Sequence, residues 1–305
     1  MMTKELKANA AVEQGQNPRI ESLKKSWYKF SRNPLSMLGL VVVLAVVFVA
    51  VFAPYIAPYP EDAGLTTKIA ESFQGPSAIH LAGTDEYGRD VFSRMLIGTR
   101  SSLVIGLLVL AISVPLGVIL GLVAGYYKGK LISRLIMWVT ELFMAIPPLI
   151  LAMVVCTMFT NGYLFAAIGI AVAWWPWYTR MTYNMVTSLS NELYIVYTEL
   201  SGVKVLKILL SEMLPNITSS IVTKMSLDMG SIILTASSMS FVGLGVQPPE
   251  PSLGAMVSDG IQYLPEFWWL TVMPAIVVVL IVLGFNLLGE GLRDAIGKED
   301  DICVA

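Results

Sequence analysis

Long uncharged runs, mostly of aliphatic residues, recur along the chain and separate its polar segments. A helix needs about 20 mostly apolar residues to cross a bilayer core, and the run from Leu35 to Ala53 is almost purely aliphatic. The run after Arg134 is too long for one crossing, and turn-forming residues at 160–162 divide it. The pattern predicts six membrane-spanning helices, at residues 35–57, 101–126, 133–158, 163–183, 226–246 and 267–289.

Composition agrees with an all-α polytopic membrane protein. Of the 305 residues, 55% are hydrophobic and 14% are charged, and the mean hydropathy is +0.70. A soluble domain carries about 25% charged residues, so a cytosolic enzyme, a disulfide-rich secreted module and a disordered tail are excluded. A net charge of -2 gives no basic field, and we expect no nucleic-acid partner.

Basic residues indicate the orientation. All but four of the 20 Lys and Arg residues lie in the N-terminal arm, the loops after spans two and four, or the C-terminal tail. The positive-inside rule places these segments and both termini in the cytoplasm. We therefore divide the chain into an arm (1–34), a six-span permease domain (35–292) and a tail (293–305). The four exceptions lie in the outer segment, residues 58–100: Lys68, Arg89, Arg94 and Arg100.

The outer segment ends in an amphipathic stretch. Val91, Met95 and Gly98 fall on one helical face, which is typical of a helix lying at the membrane interface. A solvated loop with such a helix and a segment that handles substrate are equally compatible with this pattern.

The cytoplasmic loop 184–224 holds a second amphipathic stretch. Val203, Leu206 and Leu210 recur at helical spacing, and Leu214-Pro215 is expected to stop the helix. Its apolar stripe could lie on lipid headgroups or dock in a partner's groove. Composition alone favours a position of this stripe on the lipid headgroups.

Small residues and prolines mark special points within the predicted spans. Gly117, Gly121 and Gly125 form a smooth ridge suited to close helix packing. Pro147 and Pro148 are expected to break the third span, which a membrane tolerates where neighbours or water satisfy the freed backbone groups.

Span five carries three small hydroxyl side chains on one face, Ser231, Thr235 and Ser238. Helix packing and a polar pore lining explain them equally well, and with Pro147 they are the candidate pore residues. The sequence contains no GxxxxGK[ST] phosphate loop and no HExxH or GxSxG motif. We expect no enzymatic site, metal or directly bound cofactor, so the chain suggests half of a pore driven by another protein.

Several motifs in order resemble one family. Gly83–Arg94 with Gly98–Leu103, Phe241–Gly254 with Ser258–Gly260, and Gly289–Asp294 are similar to signatures of ABC importer permeases for oligopeptides, dipeptides and nickel or metallophores. The resemblance is to the C-type of their two permease subunits. The outer-segment motif residues are Gly83, Thr84, Asp85, Gly88, Arg89 and Asp90.

The cytoplasmic loop resembles the family's coupling loop with one departure. The family pattern reads Glu-Ala-Ala, three residues, Gly, and a Leu-Pro ending thirteen residues beyond that Gly; residues 196–198 are instead Val-Tyr-Thr. The resemblance implies a coupling helix at about 198–209 that docks on an ATPase, which replaces the preference for lipid. The candidate coupling residues are Glu199, Gly202, Val203, Leu206, Leu210, Leu214 and Pro215.

The resemblance also implies an assembly. It predicts a type I ABC importer permease fold in the bacterial plasma (inner) membrane, a different but homologous second permease subunit, two cytoplasmic ATPases that bind the ATP, and an extracytoplasmic substrate-binding protein. The substrate could be an oligopeptide, a dipeptide, nickel or a metallophore complex. A stand-alone channel or secondary carrier, and a membrane scaffold without transport, are the competing hypotheses.

Overall fold

Helices form most of the chain. The computed structural model describes residues 18–158, 162–246 and 248–296. Within those ranges there is no β-strand, only one isolated bridge between Thr84 and Asp90, so the all-α prediction is confirmed. The helices are α1 (Pro18–Arg32), α2 (Pro34–Ile56), α3 (Val91–Tyr126), α4 (Leu131–Met144), α5 (Pro148–Thr157), α6 (Tyr163–Leu189), α7 (Leu193–Leu200), α8 (Val205–Lys207), α9 (Leu214–Phe241), α10 (Leu253–Ile261) and α11 (Trp269–Ile296).

The described helices account for the predicted spans in different ways. By length and composition, α2, α3, α11 and the continuous helix Val205–Phe241 can each cross a membrane. Helices α4 and α5 together are apolar enough for one broken span or a re-entrant loop, and the chain bends by 90° between them, at the break predicted for Pro147-Pro148. Helix α6 covers the span predicted at 163–183, but it does not meet the same criterion, so the described residues contain four helices that could cross a membrane, or five if the bent pair counts as one. The predicted dividing turn falls largely on residues 159–161, outside the described residues.

The glycine ridge of α3 packs directly on α6, which confirms the predicted close contact. Without side chains, these glycines let the two backbones approach closely. A Cβ atom added at each glycine would meet the Cβ atom of an α6 residue, at 2.5 Å for Gly117 and Tyr178, 2.5 Å for Gly121 and Thr182, and 2.7 Å for Gly125 and Val186.

Helix α11, near the C-terminus, packs against helices from the N-terminal part of the chain and from the main core. It packs against α1 and α2 on one side and against α9 and α10 on the other. Ile232, Ile233 and Met239 of α9 and Ile281 of α11 are fully buried in the main core. The arrangement leaves one face of α9 and much of α4 and α5 uncovered by the described chain.

The prediction of an interfacial helix in the outer segment is wrong. Residues 91–98 are the first two turns of α3, which begins there because the Asp90 carboxylate accepts a hydrogen bond from the Ser93 backbone N–H at 2.8 Å. Val91 and Met95 are buried, and Gly98 packs on Leu253 of α10. The apolar face therefore meets protein rather than lipid.

The prediction of one coupling helix at 198–209 is also wrong, because the structure has two helices there. Helix α7 ends at Leu200, and Gly202, with a φ of 75°, turns the chain before a new helix starts at Val205. That helix runs through a π-helical segment, Ile208–Met213, into α9. Pro215 does not stop the helix: it directly follows the π-helical segment, where the regular α-helical hydrogen bonding is already interrupted, and the helix continues to Phe241.

Candidate functional site

One side of the loop 184–224 is fixed to the membrane helices by apolar packing. Ile195, Ile208 and Met213 are fully buried in a second core cluster. The cluster also contains Leu122 of α3 and Val186 of α6. A displacement of this loop therefore has to displace the inner ends of α3, α6 and α9 with it.

The opposite side of the loop exposes large apolar side chains, which we call the coupling patch. A cluster of this kind on a polar face of a protein marks an interaction surface. The predicted member Val203 lies instead beside the buried cluster. The patch consists of Leu193 (71% exposed), Tyr197 (65%), Leu200 (79%), Leu206 (67%) and Leu210 (51%).

Two predicted coupling residues shape the loop. Gly202 takes a positive φ that L-residues with side chains rarely adopt, and no atom lies within 4 Å of where its Cβ would be. The Glu199 carboxylate accepts a hydrogen bond from the Tyr126 hydroxyl at 2.7 Å, which joins α7 to the end of α3. Sequence reasoning missed Tyr126, because the two residues are 73 positions apart.

The outer segment folds into a cap held by buried polar groups. Fully buried Asp62 accepts a hydrogen bond from the Asp90 N–H at 2.9 Å and pairs with the Lys68 ammonium at 2.9 Å. Burial alone would lower the pKa of Lys68, but the hydrogen bond and charge of Asp62 outweigh it and raise that pKa. The His80 ring lies 2.9 Å from the Asp90 carboxylate.

The glycines and threonine of the outer motif serve this cap. Gly83 and Gly88 have φ values of 76° and 73°, and Gly88 lies directly against the Lys68 carbonyl. The Thr84 hydroxyl accepts a hydrogen bond from the Gln74 N–H at 2.8 Å. Its backbone carbonyl accepts one from the Trp269 indole at 3.3 Å, which ties the cap to α11.

The charged motif residues also pair with one another. Asp85 accepts a hydrogen bond from Arg89 Nε at 2.7 Å, and Arg94 Nε lies 3.6 Å from the same carboxylate. Together with Asp90, which starts α3, these residues build the cap. The outer motif is thus explained as a folding element.

A polar recess of about 410 Å³ opens between the cap and the segment before α10. Glu86, Glu250 and Asp259 lie in its wall with two arginines. Burial, followed by the charge of Glu86, raises the pKa of Asp259. Glu86 accepts a hydrogen bond from the Tyr263 hydroxyl, which raises the pKa of Tyr263 to about 12.

The candidate pore hydroxyls lie on the uncovered face of α9. Ser231 is exposed, and Thr235 and Ser238 are partly exposed. Thr235 and Ser238 each donate to the carbonyl four residues earlier in α9, at 2.9 Å, so they do not bind another helix. Pro147 is exposed at the break between α4 and α5.

The same α9 face continues inward through Leu227, Lys224 and Ser220, and we call the whole row the α9 stripe. At its inner end lies a cleft of about 1020 Å³ between α6, α7, α9 and α11. Lys224 lines this cleft and lies 3.1 Å from both carboxylate oxygens of Asp228. Sequence reasoning treated Lys224 as a loop charge and missed the pair, although Lys and Asp four apart on a helix are its signal.

Comparisons with known proteins agree with this architecture. Residues 117–299 match the family described as the binding-protein-dependent transport system inner membrane component. Residues 22–76 match the N-terminal TM domain of oligopeptide transport permease C.

Relatives extend the match along the chain. A di/tripeptide transport system permease protein of Pseudomonas aeruginosa is 36% identical over 277 residues, 90% of this chain and 91% of the relative. A dipeptide transport system permease protein of Haemophilus influenzae is 33% identical over 277 residues, 90% of this chain and 94% of the relative. A glutathione transport system permease protein of Pectobacterium atrosepticum is 35% identical over 271 residues, 88% and 89% of the two chains.

A solved structure supports the fold. A chain of the inward-facing MetNI methionine ABC transporter superposes with a TM-score of 0.52 at 18% identity, covering 68% of this chain and 98% of that one. The family match spans more than half of the residues, and the relatives cover about nine-tenths of them. The chain therefore belongs to the inner-membrane permease components of binding-protein-dependent ABC transport systems.

Proposed function

We propose that this chain is one of two permease subunits of an ATP-driven importer of short peptides. The observation that carries the proposal is the coupling patch, an exposed apolar surface on a loop whose other side is buried against the spans. The relatives are described as permeases for dipeptides, di/tripeptides and glutathione, which favours a peptide over nickel or a metallophore complex.

The proposed assembly contains four kinds of protein. A homologous second permease covers the α9 stripe and supplies the other wall of the pathway. Two cytoplasmic ATPases bind ATP, so this chain needs no cofactor or ATPase site of its own, and an extracytoplasmic binding protein delivers the peptide. The positive-inside rule puts both termini and the coupling patch on the cytoplasmic side of the bacterial inner membrane.

The helix Val205–Phe241 supports a direct mechanical link. Its 37 residues span about 55 Å at 1.5 Å per residue. The coupling patch contributes Leu206 and Leu210 at its inner end, and the α9 stripe follows on the same helix. When the ATPases close and move the patch, α9 moves with it, and the two permease halves rock between outward-open and inward-open states.

The absence of the family's Glu at position 196 changes how the patch can dock. Val196 and Tyr197 are both exposed there, at 36% and 65%. Apolar side chains transmit force by packing and need no charged partner. We therefore propose that the ATPase groove facing this loop is apolar, with a depth suited to Leu200 and Leu206.

Cross-linking tests the coupling assignment. A Leu206→Cys variant carrying a photoreactive maleimide, in membranes with the complete transporter, is expected to capture the ATPase subunit. The matched control is Leu131→Cys, which is 70% exposed at the start of α4 and outside the patch. Capture of lipid alone from Leu206, or equal ATPase capture from both positions, would contradict the proposal.

A further inference from the structure

A charged pair lies within α9, part of the helix Val205–Phe241 that is long and apolar enough to cross a membrane. Lys224 and Asp228 are ten and fourteen residues into α9, about 15 and 21 Å along its axis. Both side chains are largely buried, with 24% and 14% of their surface exposed. Charges in such positions are costly and mark functional sites in membrane proteins.

The two charges differ in what they face. Lys224 lies in the wall of the inner cleft, whereas Asp228 is absent from that wall. The Tyr178 ring covers the ammonium from α6, with its centre 5.3 Å from Nζ. Lys224 is therefore the member of the pair that faces the cleft, and an ammonium has three donors, so it can bind a further acceptor there while it pairs with Asp228.

The rest of the cleft suits an anionic group attached to a polar body. Arg293 of α11 adds a second cation to the wall, and the one acid that lines it is Glu192, directly before α7. Ser188, Asn216 and Ser220 add neutral hydrogen-bonding groups. A volume of about 1020 Å³ is large enough for a short peptide.

We propose that the Lys224 ammonium binds the C-terminal carboxylate of the peptide as it passes through the inner half of the pathway. The proposal rests on the proposed function, because it assigns a contact within the same pathway. Every unmodified linear peptide carries this carboxylate, so one lysine can serve peptides of any side-chain composition. The neutral hydroxyls farther along the α9 stripe then guide the peptide without holding it.

The test compares two substrates and two variants of the complete transporter in proteoliposomes. The substrates are radiolabelled dialanine and its C-terminal amide, which lacks the carboxylate. The main variant is Lys224→Gln with Asp228→Asn, which removes both charges and leaves no lone buried charge. For each transporter we take the ratio of dialanine uptake to amide uptake, and we compare this ratio between the variant and the unchanged transporter. The binding protein is the same in both, so its own preference for one substrate cancels in that comparison.

We expect the double variant to lower the ratio of dialanine to amide uptake about tenfold, as the loss of a charged hydrogen bond implies. The single Asp228→Asn variant keeps Lys224 and should keep the preference. A Lys128→Gln variant, changed in the loop after α3, serves as the control and should match the unchanged transporter.

Equal loss of dialanine and amide uptake in the double variant would overturn the carboxylate contact. So would loss of the preference in Asp228→Asn, because the pair would then act only in structure. Failure of the proposed function looks different: the unchanged transporter itself would then take up neither substrate when ATP is supplied.

Discussion

Gly88 shows how one residue of the outer motif acts on the fold. Its backbone lies against the Lys68 carbonyl with a positive φ, and Lys68 in turn pairs with buried Asp62. A side chain at position 88 would therefore push on the hydrogen-bonded centre of the cap. The outer motif tolerates few replacements because each of its residues has a defined steric or polar role in the cap.

Replacing Gly88 by Ala is expected to destabilise the protein by more than about 2 kcal/mol, from backbone strain plus the clash with the Lys68 carbonyl. The control is Gly129→Ala, because Gly129 has a φ of 84° with no atom within 4 Å of its Cβ position. That variant should lose only about 1 kcal/mol. Thermal unfolding in detergent measures both, and equal losses would contradict the steric account.

At the scale of elements, apolar run length and glycine spacing predicted much of the structure. The break at Pro147-Pro148 and the packing of the α3 glycines on α6 follow from local rules and are confirmed. Residues 91–98 were predicted as an interfacial helix because an amphipathic face that packs on lipid has the same sequence pattern as one that packs on a folded cap. That cap depends on contacts such as Trp269 with Thr84, 185 residues apart, which local patterns do not report.

The coupling loop shows the same limit. The family pattern placed Gly202, Leu214 and Pro215, but it predicted one helix across Gly202, at about 198–209, with Leu214-Pro215 expected to stop the helical stretch. In the structure Gly202 separates two helices, and the second one starts at Val205 and continues past Pro215. The pair Tyr126 with Glu199 became visible only in the structure, whereas the pair Lys224 with Asp228 has a local signal, its spacing of four residues on a helix.

The Gly202 turn gives a prediction for this element. Gly202→Val should abolish transport-stimulated ATPase activity, because a β-branched residue resists the positive φ and changes the angle between α7 and α9. Membrane insertion should be unaffected. Gly202→Asn is the control, since Asn tolerates this conformation. ATPase assays on the complete transporter measure the effect, and normal stimulation in the Val variant would argue against the turn's role.

At the scale of the whole molecule, the structure has the features of one subunit of a larger transporter. The coupling patch is exposed at one end of a continuous helix, and a polar stripe is uncovered farther along it. Leu206 and Leu210 of the patch are exposed, the stripe hydroxyls Ser231, Thr235 and Ser238 are exposed or partly exposed, and all of these residues lie on the helix Val205–Phe241. A second permease and an ATPase would cover them, as the proposed assembly requires.

The most direct test of this account is ATP-dependent uptake of radiolabelled dialanine into proteoliposomes. The complete set of two permeases, two ATPase subunits and the binding protein should accumulate the peptide only when ATP is present on the ATPase side. Liposomes containing this chain alone should show no uptake. Uptake by the single chain without ATP would contradict the account and establish a channel or secondary carrier instead.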